Sequence, residues 1–290
     1  MNAVLRSEPF FRAYRYLPHR LINLTAHKLA VATWPRPVVD AAIRTWIRRA
    51  AIDMSDFEER SYDSVEDFFL RKLRPGTRPL ASGLVSPVDG RLVGAGAMTK
   101  ERPLVVKGQR ISLDLLVNGK IHDLPLASYE GGSFATLFLS PEGYHRIHMP
   151  EDGEILDCRW IPGRYFPQNE DALRYIHGIY ERNERAVLRC RRDSGEEFLM
   201  VLVGASLVGG IHLEGLPRQA WIRPSAFPIH KRRAKGEEIA HFSFGSTVVL
   251  VFPQTMAGRL RPALFQAGSQ ASPRPSAVRM GETLWEETHA

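Results

Sequence analysis

Cysteine is almost missing from this chain: Cys158 and Cys190 are the only two among 290 residues. Two thiols cannot build the multi-bridge framework that small secreted domains rely on, so the fold has to be held by packing. Long apolar runs are missing too. The longest, Phe198 to Ile211, is interrupted by Gly204, Ser206, Gly209 and Gly210 and falls short of the roughly 20 residues that a membrane-spanning helix needs. It reads as buried strands, and any contact with a membrane is expected to be peripheral. The opening Met1-Asn2-Ala3-Val4-Leu5-Arg6 lacks the continuous apolar core of a secretory signal, which makes a reducing, cytoplasmic-side location the expectation. Acidic residues are the scarcer charge, 32 Asp and Glu against 39 Lys and Arg, for a formal net charge of +7. The surplus favours an anionic partner, and charge alone does not choose between nucleic acid, a phospholipid surface and an acidic substrate.

What is present suffices for a sizeable core, with 44% hydrophobic residues. From Pro9 to about Asp53 the pattern is helical, and aromatic and aliphatic residues are mixed with Arg12, Arg15, Arg20, Lys28, Arg36, Arg44, Arg48 and Arg49 against few acids. Aromatics beside cations suit a helix lying in a headgroup layer, and they equally suit an amphipathic subdomain packed on the core with a solvated basic face. A second helical piece is predicted over Ser64 to Leu73, where Ser64-Val65-Glu66-Asp67 resembles a capping box and Arg74-Pro75-Gly76 ends the helix. After Pro79 short apolar runs alternate with turns such as Asp89-Gly90, Asn118-Gly119, Asp152-Gly153 and Ser194-Gly195, the texture of a mainly antiparallel β domain. The stretch Ala267 to Ser276 has the composition of a flexible loop. The fold class expected is therefore α+β: N-terminal amphipathic helices, residues 1–58, followed by a β-rich, mainly antiparallel domain over 59–290, its last strand following Ser246.

Three short motifs carry chemistry-bearing side chains. Ser86-Pro87-Val88-Asp89-Gly90 reads in isolation as a hairpin turn. Tyr144-His145-Arg146-Ile147-His148 places two histidines three residues apart, hence on opposite faces of a strand, which argues for separate tasks and against a shared metal clamp. Gly245-Ser246-Thr247 precedes Val248-Val249-Leu250-Val251-Phe252 and reads either as a small-residue turn entering a buried strand or as a nucleophile, since a serine after a glycine faces an open carbonyl. An Asp, a His and a Ser from separate motifs are the makings of a carboxylate, base and nucleophile, recognised by geometry and not by order.

Taken together and in order, the motifs resemble the phosphatidylserine decarboxylase family, prokaryotic type. The resemblance runs from about residue 60 to 255, through Phe68-Phe69-Leu70-Arg71-Lys72-Leu73-Arg74-Pro75-Gly76, Ser86-Pro87-Val88-Asp89-Gly90, Tyr144-His145-Arg146-Ile147-His148-Met149-Pro150, Asn183-Glu184-Arg185, Val203-Gly204-Ala205, Lys235-Gly236-Glu237-Glu238-Ile239 and Phe244-Gly245-Ser246-Thr247, with a weaker tail at Gly281-Glu282. Two positions depart from the family's habit: Gly143, preceded by Glu142, stands where Asp is common before the Tyr-His-Arg motif, and Phe244 where Leu is common.

The resemblance implies a proenzyme that cuts itself between Gly245 and Ser246 into fragments 1–245 and 246–290. In that scheme Asp89, His148 and Ser246 form the charge relay for self-cleavage, and Ser246 is converted into a covalent pyruvoyl group, the pyruvate cofactor. Its carbonyl condenses with the substrate's amine and takes up the electrons released as carbon dioxide leaves. His145 is then the proton donor or the group that orients the substrate carboxylate. No metal and no nucleic acid belong to this scheme. It implies phosphatidylserine and an anionic membrane surface as partners, with the two fragments associated, and it leaves a homo-oligomer open. Residues 1–58 become a membrane-docking region, and the location becomes the cell membrane, peripheral, on the cytoplasmic side.

Overall fold

A computed structural model of the chain describes residues 8–14, 16–98, 104–106, 109–119, 124–206, 210–216, 224–243, 246–257, 260–262 and 276–287. Three helices open it: α1 (Glu8–Tyr14), α2 (His19–Val31) and α3 (Arg36–Ala50), with Pro37 near the N-terminus of α3 and Ala51, at φ 50°, closing it by donating its N–H to the Ile47 carbonyl. The N-cap half of the expected capping box forms, Ser64 Oγ accepting from the Asp67 N–H at 3.0 Å, while the Asp67 carboxylate accepts from the Asp63 N–H at 3.1 Å and not from that of Ser64. The helix it starts, α4, is shorter than expected and covers only Val65–Phe69. Beyond it Leu73 bridges to Phe57, and Arg71 turns inward.

The β region is built on an eight-stranded antiparallel sheet in the spatial order Ser225–Arg233, Gly153–Ile161, Arg185–Arg192, Glu197–Gly204, Ser246–Phe252, Ser133–Leu139, Gly90–Ala97, Ser276–Val278. Every residue of the Ser246 strand is buried. Its alternate side chains supply two different cores: Val248, Leu250 and Phe252 join Leu137, Leu188, Met200 and Ile147 on one face, whereas Val249 and Val251 join Phe134, Val187, Leu199 and Val201 on the other. This is why the sequence shows an unbroken apolar run where a half-exposed strand would alternate. The run Phe198 to Ile211 likewise divides between the strand ending at Gly204 and a short strand, Ile211–Leu213.

A second, three-stranded sheet, Ile211–Leu213, Glu238–Phe242 and Arg146–His148, covers the first of these faces. The chain leaves this small sheet at Phe242 and enters the centre of the large one at Ser246. The last strand follows Ser246, as expected, but the strand that begins there is not itself the last: Leu260–Pro262, Ser276–Val278 and Thr283–Glu287 come after it, the last pairing with Leu84–Val85. The loop expected over Ala267 to Ser276 lies, up to residue 275, outside the described residues.

The N-terminal helices are anchored on their polar side. Along α2 the buried residues are His19, Asn23 and Ala30, with His27 paired to Glu66 at 3.4 Å, while Leu17 just before the helix and Leu21, Leu24 and Leu29 within it are exposed. The helix is thus amphipathic in the reverse sense of a soluble protein's surface helix. Helix α1 packs inward through Phe11, whose ring stacks on Tyr175 at 5.8 Å, and α3 packs Val39 and Ile43 against Phe68. Among the described residues no helix is long and apolar enough to cross a membrane.

Candidate active site

Ser246 sits two residues before Val248 on a strand, so its hydroxyl points to the face that the small sheet covers. It is fully buried, and among the described residues its Oγ has no hydrogen-bond partner. A hydroxyl buried in this way costs about 1–3 kcal/mol, and such groups mark places where a structure is arranged for something other than stability. Phe244 and Gly245, and with them the carbonyl of the expected cleavage site, lie outside the described residues. On the opposite face Thr247 is held by Gln168, whose Nε2 donates to the Gly204 carbonyl at 3.0 Å; Asn183 Nδ2 donates to the same oxygen at 2.9 Å. Gly204 is the ladder partner of Ser246, so the Asn183 motif fixes the strand beside the nucleophile.

His148 ends its strand with its main-chain N–H donating to the Pro87 carbonyl at 2.9 Å, which seats the Asp89 turn beside it. Its Nδ1 lies 2.8 Å from the Gly236 carbonyl and its Nε2 2.8 Å from the Tyr144 hydroxyl. A carbonyl oxygen only accepts, so Nδ1 carries the proton and Nε2 offers its lone pair to the Tyr144 O–H. Burial pushes the His148 pKa down, against the opposing effects of the Gly236 carbonyl and of Glu238, so the ring is neutral and basic at pH 7. Burial pushes the Tyr144 phenol up, which keeps it a donor. Gly236 has φ +78°, the left-handed conformation that glycine adopts freely, and this turn aims its carbonyl at the imidazole.

Asp89 stands in the same neighbourhood with its hydrogen bonds directed elsewhere. Its carboxylate accepts from Arg78 Nε at 3.0 Å, from Arg78 Nη2 at 2.6 Å and from the Met280 N–H at 2.7 Å. Arg78 also binds Asp56 at 2.7 Å. The structure therefore brings Asp89 close enough to act on His148 through its charge, while the group that holds the imidazole's tautomer is the Gly236 carbonyl. The tail at Gly281-Glu282 has its explanation here, for the Gly281 N–H donates to Ser86 O and the Ser86 N–H to Glu282 O.

His145 is completely buried, stacked on Phe69 with ring centroids 3.9 Å apart, and its Nε2 donates to the Ser140 carbonyl at 2.9 Å. Its Nδ1 is buried without a hydrogen-bond partner among the described residues. Burial first, and the nearby Arg71 cation second, push its pKa down to about 3. Ser140 follows Leu139, the ladder partner of Ser246, and the His145 carbonyl accepts from the Phe242 N–H at 3.1 Å. The ring is thus carried by the two segments that flank Ser246, and it shares no partner with His148. The Glu142 side chain is exposed, and Arg71 binds the main-chain oxygens of Glu142 and Gly143, so this stretch is gripped without a carboxylate at position 143.

Several of these contributors escaped the motif reading. Tyr144 lies four residues before His148, an even spacing that puts the two on the same side of an extended chain. Gly236 lay in a quoted motif and Arg78 two residues beyond another, with nothing in their spacing to mark what they touch.

The sequence has relatives. A family model described as phosphatidylserine decarboxylase matches residues 65–286. A phosphatidylserine decarboxylase proenzyme from Methylibium petroleiphilum is 39% identical over 279 residues, covering 92% of this chain and 94% of that protein. One of the same name from Chromobacterium violaceum is 38% identical over 280 residues, covering 92% and 96%. Another from an Azoarcus species is 38% identical over 249 residues, covering 82% and 85%.

Proposed function

The chain belongs to the phosphatidylserine decarboxylase family, and on that footing we propose that Ser246 is the residue at which it processes itself and acquires its catalytic group. It is a carboxy-lyase that converts phosphatidylserine into phosphatidylethanolamine and carbon dioxide, made as a precursor that undergoes processing. The observation that carries the Ser246 assignment is the fully buried, unpartnered hydroxyl on the face turned toward the histidine-bearing sheet.

In the maturation step the Ser246 hydroxyl attacks the Gly245 carbonyl as His148, neutral and with its lone pair at Nε2, takes the proton. The peptide bond exchanges for an ester, elimination frees the Gly245 carboxylate and leaves a dehydroalanine at position 246, and water hydrolyses its imine tautomer with loss of ammonia, giving the fragments 1–245 and 246–290. Asp89 contributes its negative charge to the imidazolium that forms, and the Gly236 carbonyl holds the ring. A pyruvoyl group at position 246 supplies the electron sink for loss of carbon dioxide. His145 begins that reaction neutral, with its one N–H given to Ser140, so Nδ1 is an acceptor first. We assign it to this later stage as the proton donor to the α carbon once carbon dioxide has left, or as the group that orients the substrate carboxylate.

The partner surface is an anionic phospholipid membrane, peripheral and on the cytoplasmic side. This reading rests on the reversed amphipathicity of α2 and on Trp34 and Val38, which are exposed around the start of α3 beside Lys28 and Arg36. An apolar face ringed by cations fits a headgroup layer. Intact-mass measurement of the purified full chain tests the central assignment. Two chains are expected, the smaller starting at position 246 with a blocked terminus, and a single folded species of 32.7 kDa retaining Ser246 would overturn it.

A further inference from the structure

Arg71 is among the largest fully buried side chains, and a guanidinium cannot shed its charge cheaply when it leaves water. Its hydrogen bonds go to main-chain oxygens: Nη1 to Phe68 O at 3.4 Å, Nη2 to Glu142 O at 2.6 Å and to Gly143 O at 2.9 Å. The rings of Phe57 and Phe68 lie against it, with centroids 4.3 and 4.9 Å from Cζ. The opposite exchange occurs next door, where Arg146 Nε and Nη2 donate to Leu70 O at 3.0 and 2.7 Å. Two arginines, each donating to main-chain oxygens on the other's segment, therefore lock the segment after α4 to the segment running from Glu142 to His148. That second segment bears Tyr144, His145 and His148, and Phe69, the surface on which His145 stacks, is the last residue of α4, directly before the first.

We propose that Arg71 is a positioning residue for both stages of the reaction: its planar fork across the Glu142 and Gly143 carbonyls sets the entry of the Tyr144–His148 segment and so aims His145 and Tyr144. This rests on the reading above in which the two histidines act. A cavity-filling apolar residue would serve the fold alone without the cost of a buried cation, whereas directing two carbonyls through one nitrogen requires donors in a fixed plane. The same cation opposes protonation of His145, adding to the effect of burial, and burial in turn pushes the Arg71 pKa down to about 10, still charged at pH 7.

The test uses the full chain with Arg71→Lys and Arg71→Met, beside His148→Ala as a control, and measures the half-time of self-cleavage, kcat and KM on phosphatidylserine in mixed micelles, and the thermal midpoint. Arg71→Lys keeps the charge and loses the fork. It is expected to retain the fold, to cleave about 10- to 100-fold more slowly, and in its cleaved fraction to lower kcat with KM nearly unchanged, the signature of misaligned chemistry. Arg71→Met is expected to be worse in both rates. A folded lysine variant that cleaves and turns over within twofold of the unaltered chain overturns the proposal, as does a lysine variant that fails to fold, since the side chain's role would then be support alone. The control separates this failure from that of the underlying reading: if His148→Ala matures normally, the assignment of the histidines is wrong whatever Arg71 does.

Discussion

Tyr144 donates its hydroxyl hydrogen to the same Nε2 of His148 that has to receive the Ser246 proton, at 2.8 Å. In the precursor the base is therefore occupied, and it becomes available only when this hydrogen bond opens. Opening a neutral buried hydrogen bond costs about 0.5–1.5 kcal/mol. Tyr144→Phe removes that obstacle and leaves the ring in place, so self-cleavage is expected to run as fast as in the unaltered chain or up to about tenfold faster. A time course of fragment appearance on a gel decides it. Arrest of cleavage would mean instead that the phenol relays the proton.

Asp89→Asn tests charge against geometry. The carboxylate is gripped by Arg78 and the Met280 N–H, so the amide loses the charge that acts on His148 and half of the fork with Arg78. Cleavage is expected to slow less than in His148→Ala, where the base itself is gone, and folding stability is expected to drop by about 1–3 kcal/mol as the charge-assisted bonds weaken. Denaturation of both variants in a Ser246→Ala background, alongside their cleavage rates without it, separates the two effects. Equal arrest by the two substitutions would make Asp89 as necessary as the base.

The contrast between those residues shows what could be read from the sequence and why. Apolar runs, turn dipeptides and helix caps depend on local sequence, so the antiparallel β domain, the N-cap at Ser64 and the burial of the Ser246 strand were legible. The motifs likewise singled out Ser246, His145 and His148 as candidates, because their order along the chain is itself information. Which acceptor holds the His148 tautomer was not legible. Gly236 reaches it across 88 residues through a left-handed turn, and nothing in a linear pattern distinguishes that carbonyl from Asp89 as the orienting group. The length of α4 was missed for a related reason: Arg71 is a good helix former by propensity, yet tertiary contacts pull it inward to bind carbonyls 71 and 72 residues away.

His145→Ala separates maturation from turnover. Its ring shares no hydrogen-bond partner with His148, so removing it should leave the base and its acceptor intact. The variant is expected to appear as two fragments while releasing carbon dioxide from phosphatidylserine at least about 100-fold more slowly. A gel beside a carbon dioxide release assay reads both stages. Normal release by the cleaved variant would take His145 out of the reaction, and an uncleaved product would move its role to maturation.

The same residue should make stability depend on pH. Its folded pKa is near 3, far below the ordinary value of 6.5. Below pH 6.5 the unfolded chain takes up a proton that the folded chain refuses. The contribution to stability is therefore complete above 6.5 and is lost as the pH falls toward 3, at no more than about 1.4 kcal/mol per pH unit for one proton. His148 adds in the same direction. Glu238, held down at about 2 by His241 and Arg146 against the effect of burial, stays charged between pH 6.5 and 4.5, so that window isolates the histidines. Denaturant unfolding of the uncleaved Ser246→Ala chain should show stability falling across the window, and His145→Asn should flatten the fall. Parallel profiles would show that His145 is not held neutral.

The exposed leucines of α2 offer the sharpest check on the membrane. Leu21 is 61% and Leu24 51% exposed, so replacing both with Asp disturbs no packing and should leave self-cleavage at its normal rate. Burying a leucine in an apolar phase gains about 1.5–3 kcal/mol, and the two added negative charges are repelled by anionic lipid. Flotation with vesicles containing anionic phospholipid should therefore show at least about a 100-fold weaker association for Leu21→Asp/Leu24→Asp. Added salt should weaken the unaltered chain only in part, because the apolar contribution is not screened. If the double variant floats with the vesicles as well as the unaltered chain does, this face of α2 is not where the protein meets the membrane.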